Sequence, residues 1–88
     1  MYKTNGKQIM SLNNLSLNET GFVESIKSNS RIKRRLLDLG IINGTKITPI
    51  LISPSGDPTA FEIRGCLIAL RNDDSKNIYI RKSDVKWD

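Results

Sequence analysis

Apolar positions along the chain fall mostly in short alternating runs, with one stretch at helical spacing. Residues 1–11, MYKTNGKQIMS, are polar and unpatterned, so residues 1–10 read as a flexible tail. Leu12, Leu15 and Leu17 stand among Ser and Asn and are expected to pin a short turn to the core. In ETGFVESIKS, Phe22, Glu24 and Ile26 alternate with Val23, Ser25 and Lys27, the period of a strand with one buried face. Phe22 is expected to be a core residue.

The period then changes. Ser28, Asn29 and Ser30 supply an N-cap, with Ser30 the best placed. Ile32, Leu36 and Leu39 fall at i, i+4 and i+7 with Leu37 beside them, which predicts a helix over residues 31–39. Gly40 suits the position just past its end, where a left-handed backbone is needed. A helix of about two and a half turns is too short to persist alone and must dock on a sheet.

Beyond it, Asn43-Gly44 marks a turn and KITPILI a strand, in which Pro49 favours an edge or a bulge. SPSGDP is a turn-rich loop between antiparallel strands. In TAFEIRG, Phe61 and Ile63 share one face, Ala60, Glu62 and Arg64 the other, and Gly65 punctuates. CLIALR is another short strand, NDDSK a polar turn and NIYIR a last strand. Residues 83–88 form a C-terminal tail, polar apart from Val85 and Trp87. About five strands this short need their edges protected, so the expected fold is mainly β, a small antiparallel barrel over residues 11–82 with one short helix.

Composition narrows the chemistry. The 88 residues make one domain, with 14 Lys and Arg against 9 Asp and Glu and a net charge of +5. No apolar run approaches the roughly 18 residues of a membrane span, and no secretory leader is evident, so a soluble protein in a reducing cytoplasm is expected. There is no histidine and one cysteine, Cys66. Internal disulfides, the usual transition-metal sites and Ser-His-Asp or Cys-His catalysis are therefore out of reach of this chain alone. No enzyme activity and no cofactor are expected.

The cations concentrate at Arg31, Lys33, Arg34 and Arg35, in the first half of the predicted helix. There they oppose the macrodipole, at a cost of roughly a few tenths of a kcal/mol each. An i,i+4 pair between Arg34 and Asp38 offsets little of that. Local stability does not explain the cluster. Two explanations remain open: a solvated face whose long stems cover apolar surface, or a docking surface for an acidic partner. A DNA-reading helix fits less well, because no second helix precedes it and both Phe residues look like core rather than a stacking platform. Cys66 reads as a buried or half-buried structural thiol, Gly56-Asp57-Pro58 as a turn, Asp73-Asp74 as a polar turn and Trp87 as a tail residue. No metal site is assigned: Asp38, Asp57 and Glu62 could meet in space, but nothing in their spacing requires it.

With these elements in place, RRLLDLGIINGTKI resembles the most recognisable segment of the ferrous iron transport protein A (FeoA) family. There a basic pair, a Leu-Leu-Asp-Leu-Gly helix end and a Gly-Thr turn lead into a strand. GDPTAFEIRGCLIALR is similar to the family's Gly-Asp-Pro loop, Arg-Gly step and Ala-Leu-Arg strand, and SLNNLSLNETGFVESI has its leucine spacing. The motif positions are Leu36, Leu37, Leu39, Gly40, Gly44, Gly56, Asp57, Pro58, Arg64 and Gly65. The extra polar residues before Ser11 and the NDDSKN turn depart from a minimal member.

The resemblance implies an SH3-like barrel with its helix between the first two strands. It also implies a small cytoplasmic accessory of bacterial ferrous iron uptake, peripheral at the inner face of the membrane when engaged. The implied partner is ferrous iron transport protein B, a membrane permease with a cytosolic GTP-binding domain. Similar domains end iron-dependent repressors; no winged helix precedes this one, so a free-standing accessory is expected. In this reading Arg31, Arg34 and Arg35 contact the partner, and Leu36, Leu37, Leu39 and Gly40 hold the helix in place. The competing reading, a small-barrel nucleic-acid binder suggested by the charge, requires binding with a steep salt slope.

Overall fold

Each strand-forming run is apolar on one side, and burying those sides together sets the architecture. The computed structural model describes residues 8–27 and 30–82. Its strands are β1 (Gln8–Ser11), β2 (Gly21–Ile26), β3 (Lys46–Ile52), β4 (Thr59–Ile63), β5 (Cys66–Leu70) and β6 (Ile78–Lys82). They form one antiparallel sheet in the order β1-β6-β2-β3-β4-β5. A 3-10 turn, Leu12–Asn14, follows β1; helix α1 (Ser30–Asp38) joins β2 to β3, and α2 (Asn72–Ser75) joins β5 to β6.

The expected mainly β, antiparallel architecture is present, with three differences in detail. Residues 8–10 belong to a strand rather than to a tail, since β1 pairs with β6 from Gln8↔Lys82 to Ser11↔Tyr79. Four residues are too few to show a period in the sequence. Consequently α1 follows the second strand rather than the first. The polar NDDS segment winds into a helical turn with Asp74 and Ser75 buried. The Trp87 and Val85 assignments lie outside the described residues.

Leu12, Leu15, Val23, Leu36, Ile41, Ile47, Phe61, Ile63, Leu70, Ile78 and Ile80 form the core. In β2 the buried face belongs to Gly21 and Val23, so Phe22 is only half-buried, with the Arg81 guanidinium 5.8 Å from its ring centroid. A register shift between Val23 and Ser25 interrupts the alternation and lets Ile26 pack on the same core. That bulge is why simple alternation misassigned Phe22. Leu17 is exposed, leaving Leu12 and Leu15 to pin the turn. Pro49 sits at the expected irregularity, beside a register shift between Pro49 and Leu51, and its carbonyl accepts from Asn18 N–H at 2.7 Å.

The stop of α1 is built as its sequence predicts. Gly40 has φ +88°; its N–H donates to Leu37 O at 2.9 Å, and Ile41 N–H donates to Leu36 O at 3.1 Å. This is the Schellman arrangement, in which the residue past glycine packs against one on the last turn. Leu36 and Ile41 are both fully buried. By contrast Leu37 and Leu39 are 42% and 38% exposed, so Leu36 carries more of the packing than either. The physical reason is angular: at 100° per residue Leu37 turns away from the Ile32–Leu36 stripe, and Leu39 lies past the last turn.

The following turn is stitched back to β2. Gly44 N–H donates to Val23 O at 2.7 Å, Val23 N–H to Thr45 O at 2.9 Å, and the Asn43 side chain to Glu24 O at 2.7 Å. The buried Thr45 hydroxyl donates to Gly40 O at 3.2 Å and accepts from Ile42 N–H at 3.0 Å. The Gly-Thr step thus locks the helix end to the strand.

Two outcomes follow from this packing. Leu36→Ala should lose about 2–5 kcal/mol in urea denaturation, as a fully buried leucine does, whereas Leu37→Ala should stay within about 0.5 kcal/mol. The second concerns pH. The Lys82 ammonium, 3.0 Å from Glu19, holds that carboxyl below its ordinary range, helped by Ser16 N–H. A lowered folded-state value contributes stability that is present above the unfolded value and is lost as pH falls through the folded one. Melting followed from neutral to acid pH should therefore show a shallower fall for Glu19→Gln than for the parent chain.

Candidate functional site

The outward face of α1 follows from how its inward face is spent. Ile32 and Leu36 point to the sheet, so Arg34, about half a turn away, faces directly outward. Arg31, Lys33, Arg34, Arg35 and Leu37 are all exposed. Leu37 lies four residues after Lys33 and three after Arg34, which sets an exposed leucine between two cations. Among the described residues, Arg31, Lys33 and Arg34 make no ion pair, and the i,i+4 pair between Arg34 and Asp38 does not form. Ile42, 48% exposed, and Leu39 continue the apolar part past the helix end.

Arg35 differs from its neighbours. Its guanidinium is paired with the Asp74 carboxylate, whose side chain is 11% exposed against 61% for Arg35. The pair clamps α1 to α2. The charge of Arg35 is thus already matched, which separates it from the candidate contacts Arg31 and Arg34. Asp74 was missed as a functional position because a polar turn gives no local sign that one of its acids will be buried against a helix 39 residues earlier.

The remaining motif residues serve turns and joints. Asp57 Oδ1 accepts Asn72 N–H at 2.7 Å, capping α2 from another loop, and its Oδ2 lies 3.8 Å from Arg71. The Ser53 and Ser55 hydroxyls donate to Asp57 O at 2.7 and 3.0 Å, Gly56 has φ +92°, and the Asp57–Pro58 bond is cis. Arg64 and Gly65 both have positive φ, 53° and 84°, as a two-residue hairpin turn of type I′ requires. The Arg64 stem passes over the helix stop: a Cβ at Gly40 would lie 3.2 Å from Arg64 Cδ.

A shallow cleft of about 330 Å³ is lined by Gly44, Thr45, Lys46, Thr48, Glu62, Arg64 and Gly65. Within it Thr48 stands across from Glu62 on the β3–β4 ladder, and the Thr48 hydroxyl is hydrogen-bonded to that of Thr20 at 2.9 Å. Asp38, Asp57 and Glu62 are not brought together; among the described residues no group of three or more His, Cys, Asp or Glu side chains converges. Cys66 is exposed and free rather than buried, because it opens an edge strand just after the hairpin turn. Phe61 is buried and Phe22 lies under Arg81, so neither offers a stacking platform. Among the described residues no helix is long and apolar enough to cross a membrane.

Comparison with known proteins places this geometry. The family model for the FeoA domain matches residues 10–82. The chain is similar to the FeoA-like protein from Clostridium acetobutylicum at 28% identity and a TM-score of 0.79, covering 92% of this chain and 93% of that one. It is similar to the FeoA protein from Chlorobium tepidum at 29% identity and a TM-score of 0.78, covering 83% of this chain and 70% of that one. For Stenotrophomonas maltophilia FeoA complexed with zinc the identity is 29%, the TM-score 0.72 and the coverage 81% and 88%. That protein is described as a procaryotic SH3 domain protein and is put forward as a ferrous iron transport activating factor. No curated protein sequence matches the chain.

The separation of Arg35 from its neighbours can be measured. Arg35→Ala strips a mostly buried carboxylate of its partner and should cost about 1–3 kcal/mol in chemical denaturation. Arg34→Ala should change stability by less than about 0.5 kcal/mol. In an Asp74→Ala background the cost of Arg35→Ala should largely vanish, as it does for directly coupled groups.

Proposed function

This chain belongs to the FeoA domain family, and from that premise we propose that it is a non-enzymatic cytoplasmic accessory of ferrous iron uptake that docks on the membrane permease, ferrous iron transport protein B. The carrying observation is the outward face of α1, where Arg31, Lys33 and Arg34 stand exposed and unpaired among the described residues around exposed Leu37. Their placement in the first turns of the helix works against the macrodipole, so helix electrostatics do not explain it. An acidic surface with an apolar notch for Leu37 would complement it, and the GTP-binding domain on the cytoplasmic side is the part of the permease such a protein can reach. Docking there would favour the transport-competent state.

The proposed contacts are Arg31, Lys33 and Arg34 in place of Arg31, Arg34 and Arg35, because Arg35 is paired with Asp74. Reversing Arg35 would confound loss of binding with loss of structure, whereas reversing Lys33 and Arg34 leaves the clamp intact.

An amide-shift titration with the soluble GTP-binding domain of the permease tests the reading at physiological salt. Saturable shifts should centre on residues 31–37 and disappear with Lys33→Glu/Arg34→Glu. Shifts confined to another surface, or binding indifferent to the reversal, would overturn the assignment. A parallel titration with duplex and single-stranded oligonucleotides should be silent; oligonucleotide binding with a steep salt slope would favour the nucleic-acid reading instead.

A further inference from the structure

The pairing order leaves β5 at an edge of the sheet, and its phase can be worked out from its turn. A two-residue hairpin closes with a hydrogen-bonded pair, here Ile63↔Cys66, and such pairs alternate along an antiparallel ladder. Phe61↔Ile68 and Thr59↔Leu70 are therefore the other bonded pairs. It follows that Leu67 and Ala69 direct their N–H and C=O groups away from β4, to the open side. Among the described residues, no backbone or side-chain group occupies them.

Natural sheets protect such an edge with charge, proline or a bulge. The segment Cys66–Leu70 has none of these between Arg64 and Arg71. Leu67 is 66% exposed, and Leu51, on the same outward face two strands away, is 65% exposed.

We propose that the β5 edge pairs with the β5 edge of a second copy of this chain, antiparallel about a two-fold axis at Ile68. In this register Leu67 faces Ala69 of the other copy and Ala69 faces its Leu67, so each large side chain meets a small one. The free N–H and C=O groups of Leu67 and Ala69 on both copies then bond one another, since these become the hydrogen-bonded pairs of the new ladder. At both ends Arg71 lies beside Arg64 of the other copy, offset in part by Asp57, 3.8 Å from Arg71, so the contact is matched by its backbone groups and by Leu67 against Ala69 rather than by charge. Self-complementarity of this kind is what an isologous contact requires, and it selects a second copy over an unrelated strand. A pairing of two five-residue strands falls below the area of a standard stable interface. The dimer is accordingly weak and concentration-dependent.

Sedimentation equilibrium and amide spectra over a concentration series to about 1 mM, the weak end of specific association, test this directly. Mass should rise toward twice the monomer while shifts move along residues 64–72 and leave α1 still. Ala69→Pro removes only an outward donor and Leu67→Lys adds charge to the edge. Each should keep the chain monomeric, with intact β4–β5 cross-strand contacts in the spectra showing that it still folds. The register places the two Cys66 Cα atoms about 14 Å apart, from the rise per residue and the strand spacing. That is beyond the reach of a disulfide. A monomer throughout, shifts centred elsewhere, association surviving in a folded variant, or ready Cys66–Cys66 cross-linking in the associated state would each overturn the proposal.

Discussion

A nine-residue helix has too few internal hydrogen bonds to persist in water, so α1 exists because Leu36 and Ile41 are buried together across the left-handed turn at Gly40. Everything exposed on the helix depends on that anchorage. The stop sets where the chain leaves the helix, and the Thr45 hydroxyl and Gly44 amide tie the exit to Gly40 and β2. The stem of Arg64, reaching over Gly40 from the β4–β5 turn, closes the same joint from the other side. A motif that could be taken for a functional signature is in large part the joint between a short helix and its sheet.

Once the helix is held this way, its cations divide by what they touch. Arg35 is on the flank facing α2 and pairs with buried Asp74, while Arg31, Lys33 and Arg34 point to solvent. A buried carboxylate left unpaired is costly, so the first of these has a structural reason to be arginine. The others do not. Exposed pairs on a surface contribute little to stability in any case, and here the available partner, Asp38, is not engaged. In the proposed docking, an acidic partner accounts for a cluster that neither the helix dipole nor an internal acid explains.

Local signals proved readable where the physics is local. The glycine stop, the Asn43-Gly44 turn, the irregularity at Pro49 and the Phe61/Ile63 face all depend on residues within a few positions of one another, and all appear in the structure. Distant pairing was not readable. Strand β1 was missed because four residues carry no clear period and its partner, β6, lies at the other end of the chain. Phe22 was misplaced because a bulge in β2 shifts the buried phase onto Val23. Leu37 is separable from Leu36 by its angle on the helix, which hydrophobicity alone does not show. Asp74 could not be found locally, since only the docking of α2 beside α1 buries it.

In the proposed docking, the outward face of α1 serves a partner and not the fold. Ferrous iron uptake by cells whose own copy of this chain carries Lys33→Glu and Arg34→Glu measures this most directly, with melting of the purified variant as the control. Uptake falling to the level of cells lacking the chain, with the melting transition unmoved, is the predicted result. Normal uptake in cells that hold a folded, charge-reversed chain would contradict the claim and return the face to solvent.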